Sequence, residues 1–425
     1  MTGTPQPLVP CLECTIVTRK PDTEKGTIMQ YRKFGKLDWK GSALGFGAMR
    51  LPVINDEYAS IDEPEATRML HYAIDHGVNY VDTAIHYHGS NSERFLGRAL
   101  KGGYREKIKL ATKLFPLYVE GRKDFDRLLN EQLQKLQTDH IDFYLLHGIN
   151  QSWWPKIRDL GVLDWAEGAI VDGRIGCLGF SFHDDYPVFQ EIVDAYDKWA
   201  LCQIQYNFVN GDYQAGAKGL RYAASKGLAV VIMEPLLGGI LANPPQPVRA
   251  LWDTAYEKHT PADGALQWLW NQPEVSVVLS GMSTMQQVEE NIASTAASGV
   301  GTLTEEELAL VDRVRERYQD LCPIPCTACG YCMPCPNGVD IPYNFKLYND
   351  GVMYERENPV RARGWYRWMV EGFEGEWFRK GQAAECIQCR ECEEKCPQGI
   401  PISELMPIVH QVLGEGKSYD ECPLP

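Results

Sequence analysis

The chain has 425 residues, of which 44% are hydrophobic and 23% charged, and its net charge is −15. This length allows more than one domain, and the composition is that of a soluble globular protein. The acidity argues against a phosphate-binding surface, so neither nucleic acid nor an anionic membrane is predicted as a partner. The sequence has neither an apolar run of about 18 residues nor a secretory signal, which predicts a cytoplasmic protein.

The first predicted elements follow an irregular N-terminal segment. Residues 1–28 are rich in Pro, Thr and charge without periodicity, and they are predicted to be a disordered extension. An alternative is that Met29 is the true start of the protein. From Met29 the pattern alternates as a hairpin does before a buried strand.

Eight apolar runs then alternate with amphipathic segments. One such segment begins at Asp62, an N-cap with Glu65 three residues later, and another covers residues 122–137. Eight strands alternating with helices over roughly 250 residues favour a closed (β/α)₈ barrel over an open doubly wound sheet. No GxGxxG motif follows a strand, which argues against a dinucleotide-binding Rossmann unit. The predicted strands lie at residues 42–49, 78–84, 107–114, 141–148, 175–182, 201–208, 228–236 and 275–282.

A last helix closes the predicted barrel. Thr304 with Glu307 three residues later predicts its capping box. We place the domain boundary near residue 320, so that the barrel covers residues 29–320 and a second, mainly helical domain covers residues 321–425.

Four titratable side chains follow successive strands of the predicted barrel. Asp82 ends the second strand, Tyr87 lies five residues later, Lys113 ends the third strand and His147 the fourth. In such a barrel the carboxyl ends of the strands meet at one mouth. The set suits carbonyl reduction, with Tyr87 as the general acid and His147 orienting the carbonyl oxygen. A Lys113 ammonium about 4 Å away, held by Asp82, should lower the pKa of Tyr87, since it contributes about 4 kcal/mol at an effective dielectric of about 20.

From Met29 to about residue 318 the chain resembles the aldo-keto reductase family. The resemblance is carried by "YRKFGK", "LGFGAMRLP", "YVDTAIHYHGSNSERFLGRAL", "ATKL" and "LLHG". It implies a nicotinamide cofactor, NADH or NADPH, lying across the barrel mouth. It also implies hydride transfer to a small aldehyde or ketone, or the reverse oxidation of an alcohol, with Tyr87 as the general acid.

The cofactor-binding positions of the family match unevenly. Ser181 and Gln203 stand where the family binds the nicotinamide carboxamide, and Met233 replaces the aromatic residue that usually stacks on the ring. In "GMSTMQQVEEN", which matches the adenosine-binding segment, Gly281 and Gln287 replace a lysine and an arginine. Charge therefore does not support NADPH over NADH. A flavin in the same groove remains an alternative, although the sequence has no motif for it. The predicted contacts in this segment are Gly281, Met282, Glu290 and Asn291.

Other aromatic side chains are candidates for the substrate pocket. His86, His88 and His183 either line it or are surface or hydrogen-bonded loop histidines. Trp153 and Trp154, just after the fourth strand, are candidates for the pocket walls.

Ten of the fourteen cysteines lie after residue 320, which favours metal ligands over disulfides. The second run, "CIQCRECEEKCP", has the spacing of bacterial ferredoxins. Crossing of the last cysteine of each run predicts two [4Fe–4S] clusters, whereas two structural zinc ions or redox-inert thiols are the alternatives. Cys322 is a substitute for Cys335, because the first run is one residue shorter. The predicted ligands are Cys326, Cys329, Cys332 and Cys396 for one cluster, and Cys386, Cys389, Cys392 and Cys335 for the other.

The tail resembles the helical ferredoxin-like domains of oxidoreductases, and a subgroup of bacterial aldo-keto reductases is similar in carrying it. A hydride carries two electrons together, whereas a cluster accepts one at a time. Three interpretations follow: a carbonyl reductase with structural or docking clusters, an electron-transfer protein that uses a flavin or a redox protein partner, and a cluster-based redox sensor. The intact set of four polar residues argues against the third.

Overall fold

The chain folds into a barrel followed by a small helical domain. The computed structural model describes residues 29–255, 260–326, 330–356, 358–371 and 381–425. The predicted extension at residues 1–28 and the predicted ligand Cys329 lie outside these ranges.

Eight parallel strands close the barrel, and each coincides with one of the predicted apolar runs, although the fourth, Ile141–Ile149, ends one residue beyond its predicted run. The prediction of a (β/α)₈ barrel is therefore confirmed. Strands covered on both faces read as continuous apolar runs, and all nine residues of Ile141–Ile149 are buried in this way. The strands are β3 (Leu44–Gly47), β4 (Tyr80–Asp82), β5 (Lys109–Leu114), β6 (Ile141–Ile149), β7 (Ile175–Phe182), β8 (Leu201–Gln205), β9 (Ala229–Met233) and β10 (Val275–Ser280). They pair in the closed order β10-β3-β4-β5-β6-β7-β8-β9.

A hairpin closes the amino end of the barrel, as the alternating pattern after Met29 predicts. Its strands are β1 (Tyr31–Lys33) and β2 (Lys40–Ser42). Between them Phe34 is fully buried and stacks on Phe143, with ring centroids 4.8 Å apart. Gly35 has φ +56°, and a Cβ there would lie 2.4 Å from the backbone nitrogen of Ala229. This turn therefore requires glycine.

Helices surround the barrel and pack their apolar faces on the strands. In the first of them, the Asp62 side chain accepts from the Glu65 backbone N–H, as predicted, and the apolar face from Ala66 to Ile74 is buried. Thr304 and Glu307 form the predicted capping box of the last. These helices are α1 (Glu63–Asp75), α2 (Ser92–Ala99), α3 (Lys123–Leu136), α4 (Trp153–Asp159), α5 (Val162–Val171), α6 (Tyr186–Asp194), α7 (Gly216–Ser225), α8 (Gln246–Trp252), α9 (Pro261–Trp270), α10 (Met285–Ala296) and α11 (Glu305–Asp320).

The C-terminal part has its own core, built from α12 (Ile341–Glu355), α13 (Val360–Glu371) and α14 (Ile402–Leu413). The predicted mainly helical domain is thus confirmed. Asn349 ties the chain before the first cysteine run to α12, because its side chain bonds both the N–H and the carbonyl oxygen of Ile324. In the part of the chain that the structure describes, no helix is both long and apolar enough to cross a bilayer.

Candidate active site and cysteine centre

The four predicted polar residues meet at the carboxyl mouth of the barrel. Lys113 is at their centre: its Nζ donates to Asp82 Oδ1 at 2.6 Å, to the Thr83 carbonyl oxygen at 2.7 Å and to Tyr87 Oη at 3.4 Å. His147 lies where the register of β6 with β7 shifts, and such an irregularity re-aims a side chain. Its ring centroid is 6.2 Å from that of Tyr87.

Burial dominates the electrostatics of this group. It raises the pKa of Asp82 and lowers that of Lys113, while the attraction between the two charges opposes both shifts. Burial, together with the Asp82 carboxylate, raises the pKa of Tyr87 well above its ordinary value. The net shift of the Tyr87 pKa is therefore opposite to the predicted lowering, and its largest cause is desolvation of the buried phenol.

His147 and His86, two of the histidines at the mouth, are neutral at neutral pH. His147 and His86 stack with ring centroids 5.0 Å apart. Burial lowers the pKa of His147 well below its ordinary range, and burial with the Lys113 charge lowers the pKa of His86 to about 4. In the described residues, Nδ1 of each ring has no hydrogen-bond partner. Both rings can therefore bond a ligand as neutral imidazoles.

Of the three histidines considered for the substrate pocket, His86 and His183 line the cavity at the barrel mouth. His88 does not line the cavity, because it is buried and hydrogen-bonded to two loop residues. Its Nε2 accepts from the Leu51 N–H at 3.1 Å, and its Nδ1 bonds the Tyr58 carbonyl oxygen at 2.6 Å. It holds the segment before α1 against the Tyr87 loop.

Trp153 and Trp154 are also not pocket walls. Both belong to the hydrophobic core between α4 and the barrel, where Trp154 is 1% exposed. The prediction failed because proximity to a strand end does not define which face of the following helix meets the cavity.

The cavity has a volume of about 2620 Å³ and extends from Tyr87 to the C-terminal domain. This exceeds the roughly 300–1,000 Å³ of a typical small-molecule site. Ser181 Oγ accepts from the Gly148 N–H at 2.8 Å, so its own proton is available to a ligand. Gln203 Oε1 is buried and, within the described ranges, has no partner. Every predicted cofactor position lines the cavity: Ser181, Gln203, Met233, Gly281, Met282, Glu290 and Asn291.

Sequence reasoning missed other side chains of this cavity. Arg50 follows the first barrel strand in "GAMRLP", and Arg361 lies on α13 of the C-terminal domain. Arg361 Nη1 donates to the Leu237 carbonyl oxygen at 2.8 Å, so it bridges the two parts of the chain. The position of Arg50 after a strand end was a usable signal, whereas nothing local marks Arg361.

The cysteines occupy the C-terminal core. A separate small cavity is lined by Cys335 of the first run together with Cys386, Cys389 and Cys392 of the second. These four thiols are the set that the ferredoxin crossing requires for one cluster, so the donor residues fit that group. Cys322 lies elsewhere, donating to the Ile324 carbonyl oxygen at 3.4 Å and lining the barrel cavity. Within the described ranges, no three His, Cys, Asp or Glu side chains are gathered closely enough for a single metal ion.

The fold and the site define the class of protein. It is a TIM-barrel protein with polar groups at the carboxyl mouth of the barrel, and a cysteine-rich helical domain follows the barrel. Residues 43–316 match the model of the aldo/keto reductase family, and the chain belongs to that family of oxidoreductases. Residues 325–400 match the model of a 4Fe-4S dicluster domain. The predicted resemblance to aldo-keto reductases with a C-terminal iron–sulfur domain is confirmed.

The barrel of this chain matches its relatives over nearly their whole length. L-galactose dehydrogenase of Arabidopsis thaliana is 28% identical over 318 residues, which cover 69% of this chain and 97% of that protein. An aldo-keto reductase of Bacillus halodurans in its holo form is 26% identical with a TM-score of 0.55, covering 67% of this chain and 96% of that one. An aldo-keto reductase of Klebsiella pneumoniae solved with NADPH, 23% identical with a TM-score of 0.56 over 68% of this chain and 95% of that one, shares the fold.

Proposed function

We propose that the protein is an NAD(P)H-dependent reductase of a small aldehyde or ketone, acting also in the reverse direction on an alcohol. The observation that carries the proposal is the buried contact series from Asp82 through Lys113 to Tyr87, with N–O distances of 2.6 Å and 3.4 Å. Membership of the aldo/keto reductase family supports the same reaction class.

Tyr87 is the proposed general acid. Its raised pKa keeps the phenol protonated at neutral pH, so that the proton is available to a carbonyl oxygen as this oxygen gains negative charge. The phenolate that remains after proton transfer lies beside the Lys113 ammonium, which stabilises it. Asp82 holds that ammonium in place through the 2.6 Å ion pair.

His147 is the proposed orienting donor. Because its pKa is lowered well below its ordinary range, the ring is neutral and one nitrogen carries a proton. That N–H can bond a carbonyl oxygen at the mouth of the barrel. His86, stacked on it, extends the same wall of the substrate pocket.

The residues of the cavity fit a nicotinamide dinucleotide. When bound, this cofactor would supply the hydride. The Ser181 hydroxyl and the Gln203 amide can bind the carboxamide, because one has a proton to donate and the other an unpartnered acceptor. Met233 would contact the ring. The adenosine end would meet Gly281, Met282, Glu290 and Asn291.

We propose two [4Fe–4S] clusters in the C-terminal domain. The small cavity lined by four cysteines supports the set Cys386, Cys389, Cys392 and Cys335. The second set, Cys326, Cys329, Cys332 and Cys396, is supported by the dicluster family match and by spacing. A cytoplasmic location, a redox protein partner and no nucleic-acid partner belong to the same proposal.

Replacement of Tyr87 by Phe tests the reductase assignment. We expect turnover with NAD(P)H and a panel of aldehydes to fall at least about 100-fold, because the general acid is lost. Dinucleotide affinity should be unchanged. Tyr118→Phe is the matched control, since this partly exposed tyrosine lies near the site without lining the cavity. A Tyr87→Phe protein that turns over like the wild type would remove Tyr87 from the mechanism.

A second candidate, electron transfer between the barrel and the clusters, is favoured by one observation. Cys326, a proposed cluster ligand, lines the same cavity as Tyr87. Anaerobic titration of the holoprotein with NADH and NADPH, monitored through the visible iron–sulfur absorbance, tests it. Bleaching supports electronic connection and directs a search for a flavin, whereas an unchanged spectrum during aldehyde reduction supports structural or docking clusters.

A further inference from the structure

The cofactor groove lacks the two cationic side chains that the family usually has there, but it contains the cationic side chain of Arg50. Gly281 and Gln287 stand where the family usually has a lysine and an arginine. The absence of a side chain at Gly281 leaves room for Arg50, whose Cβ, Cγ and Cδ lie 3.1–3.2 Å from where a Gly281 Cβ would be. The Arg50 side chain therefore lies across the carboxyl end of β10.

The guanidinium of Arg50 meets a second guanidinium at the turn after β9. Arg50 Nη2 and Arg361 Nη1 lie 2.6 and 2.7 Å from the position that a Cβ on Gly238 would take. Gly238 has φ +66° and Gly239 φ +97°, a conformation that glycine adopts without strain. The two cations, one from the barrel and one from the C-terminal domain, are thus neighbours over a glycine turn.

One carboxylate cannot neutralise this pair. Glu234 Oε2 lies 3.8 Å from Arg361 Nη2, and the Glu355 carboxylate is engaged by the backbone N–H groups of Arg361 and Ala362. Among the described residues, Arg50 has no carboxylate within 4.0 Å. Two adjacent like charges repel unless an anion lies between them. The arrangement is therefore that of an anion site, for which planar guanidinium groups are well suited.

We propose that Arg50 and Arg361 together bind the diphosphate of the nicotinamide dinucleotide, so that the C-terminal domain forms part of the cofactor site of the barrel. This inference rests on the proposed function. The location supports it, because β9 and β10 are the seventh and eighth barrel strands, and the loops after these strands are the usual phosphate-binding place of the fold. The two guanidinium groups thus bring positive charge to a groove that has none at Gly281 and Gln287.

Titration of the anaerobic holoprotein with NADH, NADPH and ADP, monitored by calorimetry, tests the proposal. Arg361→Met and Arg50→Met should each weaken all three ligands at least about tenfold, because each loses charge-assisted hydrogen bonds to the diphosphate. Arg361→Lys should recover part of the affinity. Arg367→Met is the matched control, because Arg367 is exposed on the same helix and does not line the cavity. Iron content and the thermal unfolding midpoint verify that each variant is folded.

The outcomes separate this inference from the proposed function. Wild-type binding of NADH or NADPH with unchanged affinity in Arg361→Met overturns the diphosphate site and leaves the reductase intact. A loss confined to NADPH overturns the assignment as well, because the guanidinium groups would then bind the 2′-phosphate. Failure of the wild type to bind either dinucleotide overturns both. Amide hydrogen exchange gives a second readout: bound NADH should protect α13 in the wild type but not in Arg361→Met.

Discussion

Lys113→Met should expose the cost of the buried ion pair at the barrel mouth. The side chains of Lys113 and Asp82 are only 1% and 4% exposed, and their N–O distance is 2.6 Å. Removal of one partner leaves the other charge buried and unpaired, which typically costs about 3–5 kcal/mol. We therefore expect a loss of this size in the free energy of unfolding of the barrel at neutral pH, together with loss of turnover.

The loss should depend on pH with a definite sign. In the absence of Lys113, burial of Asp82 raises its pKa further above the value of about 3.9 in the unfolded chain. Between these two values the folded state binds a proton that the unfolded state does not. Stability of the variant should therefore fall as pH rises from about 4, by up to about 1.4 kcal/mol per pH unit. Relative to the wild type, the variant is least impaired at acidic pH.

Urea unfolding monitored by tryptophan fluorescence measures this effect, because eight of the eleven tryptophans lie between residues 29 and 320. Lys109→Met is the matched control: this lysine, on the same strand, pairs with Asp142 at 2.8 Å but is 44% exposed, so its loss should cost at most about 1 kcal/mol. In the double variant Asp82→Asn/Lys113→Met the pH dependence from Asp82 should disappear. Equal losses in Lys113→Met and Lys109→Met, or a pH-independent loss, would refute the reasoning.

Three further outcomes are expected. Gly35→Ala should destabilise the barrel by at least about 2 kcal/mol in urea unfolding, because residue 35 has φ +56° and its new Cβ would clash with the Ala229 backbone nitrogen. Gly102→Ala is the control: residue 102 has φ +71° but nothing lies within 4 Å of the new Cβ, so the cost should be about 1 kcal/mol. Equal effects of the two substitutions would contradict the clash. The pKa of His86 is lowered to about 4 in the folded protein, so on acidification the unfolded chain binds a proton at a higher pH than the folded protein does. The free energy of unfolding should therefore fall from about pH 6.5 towards pH 4, and His86→Asn should make this pH dependence weaker. Cys389→Ser should reduce iron per chain by about half, whereas Cys422→Ser, whose thiol bonds Gln411, should retain it; equal iron contents would argue against Cys389 as a ligand.

The sequence predicted the elements whose signals are local. The strands are continuous apolar runs because both faces of a parallel barrel are covered, so their ends could be located to within a few residues. Once the ends of β4 and β5 are located, Asp82 and Lys113 follow as neighbours, since adjacent strands deliver their last side chains to one mouth. The cap at Asp62 and the capping box at Thr304 are equally local, because a side chain there bonds a backbone group three residues away.

The predictions that failed share a different cause: each concerned a property of a side chain that depends on the residues packed around it. The sequence shows that Lys113 lies near Tyr87, but the direction of the pKa shift depends on how deeply the phenol is buried. Trp153 and Trp154 follow a strand end, yet α4 presents them to the core. Arg361 reaches a turn 124 residues away in sequence, and no local pattern encodes that contact.

The two domains can therefore depend on each other in two separable ways. Through Arg361, the C-terminal domain contributes charge to the dinucleotide groove, which requires no electron transfer. Through Cys326, a cluster would share the cavity with Tyr87, which electron transfer does require. Cys389 lines the smaller cavity and is not among the described residues that line the barrel cavity, so its loss should leave dinucleotide affinity unchanged, whereas Arg361→Met should leave the iron content unchanged. If affinity follows Arg361 and bleaching by NADH is absent, the domain serves the barrel as a binding element rather than as an electron acceptor.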